Sequence, residues 1–153
     1  MNKKYFICII LFILVFALDR ISKNIFLNGF TWECEFFSLY LVFNKGVAFS
    51  MFSFLDEYLK YIQIAILLIA FVFLLREKKI LNTHLYSLCI IFSGGVANII
   101  DRFFYVGVID FFAWHYYFNF AVFNIADVCI NIGVGLIILK ELILKRKHKS
   151  VII

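Results

Sequence analysis

The sequence carries little charge and no proline. Of its 153 residues only 16% are charged, 65% are hydrophobic and 21 are Phe, and the mean hydropathy is +0.99. So little polar surface excludes an ordinary soluble domain, and the chain reads as an integral membrane protein. Metal-binding spacings are also missing. Cys8, Cys34, Cys89 and Cys129 form no CxxC or Cys/His pattern, which argues against a zinc site and a disulfide framework. Cys8, Cys89 and Cys129 sit in apolar runs, as packing thiols do, whereas Cys34 has no assigned role. No His/Glu cluster suggests zinc, and Gly94-Gly95 lacks the Lys and Ser/Thr that complete a phosphate loop. No metal and no cofactor is implied.

What the chain does have is long apolar runs. A helix crossing ~30 Å of hydrocarbon takes about 20 residues, so the chain has room for one domain of a few spans, residues 1–153. The runs predict spans over about 4–27, 59–75, 85–104 and 125–144. The first, YFICIILFILVFAL after Met1-Asn2-Lys3-Lys4, resembles a secretory signal peptide. No small-x-small site follows it, however, and the helical pattern continues through Asp19, Arg20 and Lys23, so the segment is expected to be retained. Asp19 and Lys23 are one helical turn apart, and that spacing fits either a surface ion pair or a polar cluster at the outer mouth of a site.

Residues 28–56, with Gly29, Trp32, Glu33, Glu35 and the alternating FFSLYLVF, suit short strands lying on the membrane. Within them Asn44 to Ser50 reads as a loop: Gly46 permits a turn, and the Asn44 amide offers both a donor and an acceptor. Such a loop outside the membrane is a suitable surface for gripping an extended peptide. In the third span, Gly94-Gly95 lets neighbouring helix backbones approach closely.

The formal charge of +5 comes mostly from Lys and Arg beside span ends, which points to orientation in the membrane rather than to nucleic acid. Lys3 and Lys4, then Arg76, Lys78 and Lys79, then Lys140 and Lys145 to Lys149 fall on one side of a four-span chain. Both termini are then cytoplasmic. The third span exits outward near Arg102, the fourth re-enters near Asp127, and Trp114, Tyr116 and Tyr117 mark the outer interface. His84 and His148 fall on the inner side, so a serine nucleophile would have only His115 as a base on the outer side.

This topology puts Asp110 and Asp127 at similar depth on the outer side. Two carboxylates in a partly dry site cannot both ionise easily, so one keeps its proton while the other stays charged. Such a pair activates water and protonates a leaving amide nitrogen, with no metal and no covalent intermediate. Two plainer readings stay open at this level: Asp127 complements a helix dipole, and Asp110 is a solvated loop residue. Spacing also permits Asp101 to pair with Asp127. A rival class, a small transporter or channel binding protons or cations at intramembrane carboxylates, fits less well because the polar residues cluster toward one membrane face. A non-catalytic assembly subunit is a third possibility.

The order LDRISK, NKGVAFS, GGVANIIDR, VIDF and FNIAD across nearly the whole chain resembles the lipoprotein signal peptidases (signal peptidase II). The resemblance implies an all-α membrane protein of four transmembrane helices, with a small β-structured cradle and a short interfacial helix on the outer face. It implies cleavage of prolipoproteins just before a diacylglyceryl-modified Cys, in the bacterial plasma membrane among its lipids; a monomer is expected because four spans can enclose one site. It makes Asp110 and Asp127 the catalytic aspartates. Asn44, Gly46, Asn98, Arg102 and Asn124 become supports for substrate and carboxylates, and Asp19 and Lys23 a supporting pair. Asp101 is assigned to the polar network with Asn98 or a basic neighbour. Three positions depart from the family's usual pattern: Arg20 stands where Gln is common, Ala97 where Gly precedes Asn98, and Gly107 lies one residue nearer the aspartate.

Overall fold

The computed structural model describes residues 3–47, 51–55 and 57–151, with the side chains of 148–151 outside the described set. Residues 48–50, the end of the Asn44 to Ser50 motif, lie outside the described residues, as do the first two and last two residues. Helix α1 covers Lys3–Leu27, α2 Tyr58–Arg76, α3 Lys78–Phe104 and α4 Ile125–Val151. Strands β1 (Trp32–Glu33), β2 (Phe37–Asn44) and β3 (Val108–Trp114) form an antiparallel sheet in the order β1-β2-β3. A 3-10 turn, Ser53–Leu55, precedes α2.

Three of these helices, α1, α2 and α3, are long and apolar enough to cross a membrane among the described residues, with hydropathies of 2.3, 2.2 and 1.4. Helix α4 is not one of them: Asp127 lies near its start, and Lys140 and Glu141 interrupt its apolar run. Helix α3 begins at Lys78 rather than near Leu85. Its first segment ends at a kink at His84 (φ −113°, ψ 18°), so the expected start at Leu85 coincides with the resumption of regular helix. Across the kink His84 Nε2 lies 2.9 Å from Glu141 Oε1, and Lys140 donates to the Thr83 carbonyl, tying α3 to α4.

The alternation in residues 28–56 does form β1 and β2. Strand β3 is less legible: VIDFFAW is an almost continuous apolar run, and its residues are nearly all buried. It pairs with β2 so that Val42 faces Asp110 and Asn44 faces Val108, with an irregularity between Leu39 and Val42. This register carries Asn44 and Asp110 to the same end of the ribbon. The chain returns to the sheet at Phe123, bridged to Phe112, just before α4 begins.

Inside and outside are inverted relative to a soluble domain. Ile13, Ile21, Ile66 and Ile69 are exposed, while Asp19, Lys23, Asp101, Asp110, Ser93 and Asn124 are almost wholly buried. The helices meet closely around this polar centre. A Cβ at Gly94 would lie 2.7 Å from the Ala126 carbonyl and one at Gly133 2.9 Å from the Ser87 carbonyl, so α3 and α4 touch backbone to backbone. Gly95 instead faces a Leu67 side chain on α2.

Candidate active site

Helix α4 starts with a reciprocal cap. Asn124 Oδ1 accepts the Asp127 N–H at 2.9 Å, and Asp127 Oδ2 accepts the Asn124 N–H at 3.1 Å, the pattern of a capping box. The sequence-level reading of Asp127 as a helix-terminus carboxylate therefore holds for one oxygen. The other, Oδ1, accepts a 2.8 Å bond from Asn98 Nδ2 on α3.

Asp110, on β3, is 1% exposed, so it is not a solvated loop residue. Its Oδ2 accepts from Asn44 Nδ2 at 2.9 Å and its Oδ1 from Asn124 Nδ2 at 2.7 Å. Burial pushes its carboxyl up to about 7, and the nearby Asp127 charge adds to the rise. The Asn44 and Asn124 bonds and the Lys23 charge oppose it. Asn124 is thus shared, capping α4 while its amide holds Asp110.

Both carboxylates line one cavity of about 370 Å³, together with Asn44, Gly46, Asn98 and Arg102. Asp101 does not line it. Instead Asp101 Oδ2 lies 2.7 Å from Lys23 Nζ and accepts the Ile109 N–H at 3.2 Å, while Oδ1 accepts from Arg20. Lys23 spends its remaining donors on Asp19 Oδ2 at 2.7 Å and Asn98 Oδ1 at 2.9 Å. The Asp19–Lys23 pair, 0% and 1% exposed, is therefore a buried cluster and not a surface ion pair.

The loop after β2 is held from two sides. Asn44 Oδ1 accepts the Gly46 N–H at 3.0 Å, and Arg102 donates to the Lys45 carbonyl at 3.3 Å and to the Gly46 carbonyl. Gly107 lies against this loop: a Cβ there would stand 2.6 Å from the Asn44 carbonyl oxygen. The candidate site residues therefore form one connected polar centre in two layers, with Asn124 bridging Asp110 and Asn98 between them. Asp110, Asp127, Asn44, Gly46, Asn98 and Arg102 reach the cavity, whereas Asp19, Lys23 and Asp101 lie behind it, joined to it through Asn98.

Two participants were not foreseen. Arg20 bonds Asp101 and lies 3.3 Å from Asp19 Oδ2; the sequence signal was a second cation next to Asp19 in a membrane helix. Gln63, on α2, lines the cavity and has a buried Oε1 with no partner among the described residues. It lies in an apolar run with no motif to mark it. Elsewhere Ser38 Oγ and His115 Nε2 lie 2.9 Å apart, outside the lining of the aspartate cavity. Among the described residues no group of three or more His, Cys, Asp or Glu is placed to hold a metal ion.

The chain is similar to known proteins over most of its length. The family model of signal peptidase (SPase) II matches residues 11–143. The lipoprotein signal peptidase of Campylobacter jejuni subsp. jejuni serotype O:23/36 (strain 81-176) is 47% identical over 136 residues, which is 89% of this chain and 87% of that protein. The lipoprotein signal peptidase of Helicobacter pylori (strain P12) is 44% identical over 140 residues, covering 92% and 89%. A solved structure described as a bacterial membrane enzyme, determined by the in meso method at 1.9 Å, aligns with a TM-score of 0.75 at 30% identity over 93% of this chain and 97% of that one. A second, at 2.3 Å, gives a TM-score of 0.76 at 26% identity over 93% and 90%.

Proposed function

The chain belongs to the signal peptidase II family, membrane peptidases that cleave prolipoprotein signal peptides, and from that membership we propose that it is an aspartic endopeptidase whose catalytic pair is Asp110 and Asp127. The observation that carries this reading is the shared cavity: Asp110 and Asp127 both line it and Asp101 does not.

In this reading Asp110, whose carboxyl burial pushes up to about 7, holds a proton. Asp127, accepting from Asn98 and from the Asn124 N–H, carries the charge. A water in the cavity loses a proton to Asp127 as its oxygen attacks the scissile carbonyl, and Asp110 donates its proton to the carbonyl oxygen. As the tetrahedral carbon collapses, the C–N bond breaks, the proton held by Asp127 passes to the leaving nitrogen, and one of the two hydroxyls on the carbon returns its proton to Asp110, so that a carboxylic acid forms and both aspartates regain their starting states. The amide hydrogens of Asn44 and Asn124 keep Asp110 oriented through the cycle.

The substrate is a prolipoprotein cut just before its diacylglyceryl-modified Cys. The greasy exterior of the helices suits a substrate that arrives by its lipid, and Arg102 with the Asn44 to Val47 loop lies where the peptide backbone passes. Helix α4 completes four membrane spans with both termini cytoplasmic and the cavity opening to the outer side, in accord with Lys and Arg at one set of helix ends. One chain, folded as a single domain, encloses one site and acts as a monomer.

The test is turnover of a lipidated precursor peptide by purified Asp110→Asn, Asp127→Asn, Asp101→Asn and Ser38→Ala proteins. The first two lose on the order of 10²–10⁴-fold in kcat, and Ser38→Ala retains turnover. Substantial cleavage by either dyad variant, or loss on removing Ser38, rejects the assignment.

A further inference from the structure

Two carboxylates outside the cavity each accept a main-chain N–H from the residue immediately before a cavity aspartate. Asp19 Oδ1 accepts the Ala126 N–H at 2.9 Å, and Ala126 precedes Asp127. Asp101 Oδ2 accepts the Ile109 N–H at 3.2 Å, and Ile109 precedes Asp110. Lys23 bridges the two, 2.7 Å from Asp19 Oδ2 and 2.7 Å from Asp101 Oδ2. The backbones of β3 and α4 are thus referred to one ion cluster shared by α1 and α3.

Lys23 alone cannot balance that cluster. Asp19 and Asp101 are both 0% exposed and together carry two negative charges against one. Arg20 supplies the second positive charge, donating to Asp101 Oδ1 and approaching Asp19 Oδ2 at 3.3 Å, so the four groups sum to neutrality. Asp101 Oδ1 has no other hydrogen-bond partner among the described residues. An uncharged amide in place of Arg20 would leave the cluster one negative charge in excess.

We propose that Arg20 is a positioning residue for the aspartate pair, completing a charge-balanced cluster that holds the segments leading into Asp110 and Asp127 and keeps excess negative charge away from them. The proposal rests on the catalytic reading of those two aspartates. The charged groups nearest the pair are Asp19 and Lys23 from α1, Arg102 from α3 and each aspartate's own partner across the cavity, with Asp101 and Arg20 behind them in the cluster. From α2 the cavity receives uncharged Gln63, and the loop after β2 reaches Arg102 through the carbonyls of Lys45 and Gly46.

Replacing Arg20 by Gln leaves a net negative charge beside the pair, which favours the protonated form of both aspartates. Fewer molecules then carry the ionised carboxylate that deprotonates water. The acid limb of kcat/KM therefore moves to higher pH by roughly half to one unit, a three- to ten-fold loss on its acid side. The loss appears in kcat, with KM nearly unchanged, because Arg20 does not line the cavity. Arg20→Lys restores charge without the forked geometry and returns the limb toward its original pH.

The experiment measures kcat and KM from pH 5 to 9 on a lipidated precursor peptide for the parent protein, Arg20→Gln, Arg20→Lys and Asp127→Asn, with thermal unfolding of each in detergent. An upward shift in Arg20→Gln that Arg20→Lys reverses supports the proposal. An unshifted limb overturns it, as does a uniform loss of kcat that follows only the fall in unfolding temperature. If Arg20→Gln does not fold, the double variant Arg20→Gln with Asp101→Asn, which removes one charge of each sign, is compared with Asp101→Asn alone: an acid limb at higher pH in the double variant supports a role through charge, and coincident limbs overturn it. If Asp127→Asn is inactive while the Arg20 variants match the parent, the catalytic reading stands and this inference alone fails. An active Asp127→Asn overturns both.

Discussion

Asn124 and Asp127 bond each other twice, side chain to backbone in both directions, at 2.9 and 3.1 Å. One residue of this pair also grips Asp110 at 2.7 Å. The start of α4 and the site are therefore a single structural unit, and its parts respond together to substitution.

Asn124→Ala removes the cap and one of the two amides on Asp110. Loss of an N-cap costs about 0.5–2 kcal/mol, so the unfolding temperature in detergent falls while turnover falls further than the stability loss explains. Asn124→Asp keeps a cap acceptor but sets a third carboxylate beside Asp110 and Asp127. It is expected to be nearer the parent in stability than Asn124→Ala, with turnover still impaired.

The Asp110 carboxyl, raised by burial to about 7, leaves a signature in stability. In the unfolded chain it titrates at about 3.9. Between these values the folded state binds the proton and the unfolded state does not. Asp110 therefore contributes stability that is fully present below about pH 4 and is lost as pH rises through about 7. Unfolding measured from pH 4 to 8 should show this decline, and Asp110→Asn should flatten it. Activity requiring a protonated Asp110 should also fall on the alkaline side of about 7.

Lys23→Met leaves Asp19 and Asp101 buried without their shared bridge. Breaking a buried pair by removing one partner costs about 3–5 kcal/mol, and the variant should unfold earlier and accumulate poorly. The double change Lys23→Met with Asp101→Asn should recover part of that loss, since one uncompensated charge goes with it. If the double variant is less stable than the single one, the buried charge is not the source of the cost.

Gly94→Ala places a methyl group 2.7 Å from the Ala126 carbonyl, at the residue before Asp127. Overpacking of this kind costs about 1–3 kcal/mol, and the displacement of α4 should reduce turnover as well. Gly135→Ala, with nothing within 4 Å of the added carbon, serves as the control and should be neutral or slightly stabilising. Thermal unfolding and turnover of the two variants side by side make the comparison.

Helices α1 to α3 were legible because a membrane demands long uninterrupted apolar runs, and such runs need only the local sequence. The start of α3 was missed because Lys78–Thr83 is a polar helical turn beyond the apolar run, joined to it through the kink at His84. Strand β3 was hidden for the opposite reason. Buried on nearly all its residues, it has no alternation to reveal it, and its pairing partner lies far back in the chain.

For the site, local sequence determined which residues are costly in an apolar chain, and their motif order pointed to one family. Spacing alone also permitted Asp101 to pair with Asp127, because spacing along a chain does not specify direction in space, although topology and motif order favoured Asp110. The β2–β3 register and the close contact at Gly94 decided that question of placement, turning Asp110 and Asp127 into one cavity and Asp101 onto Lys23 and Arg20. Charges buried this deeply must find partners, and those partners come from different helices and strands. Only the folded chain brings them together.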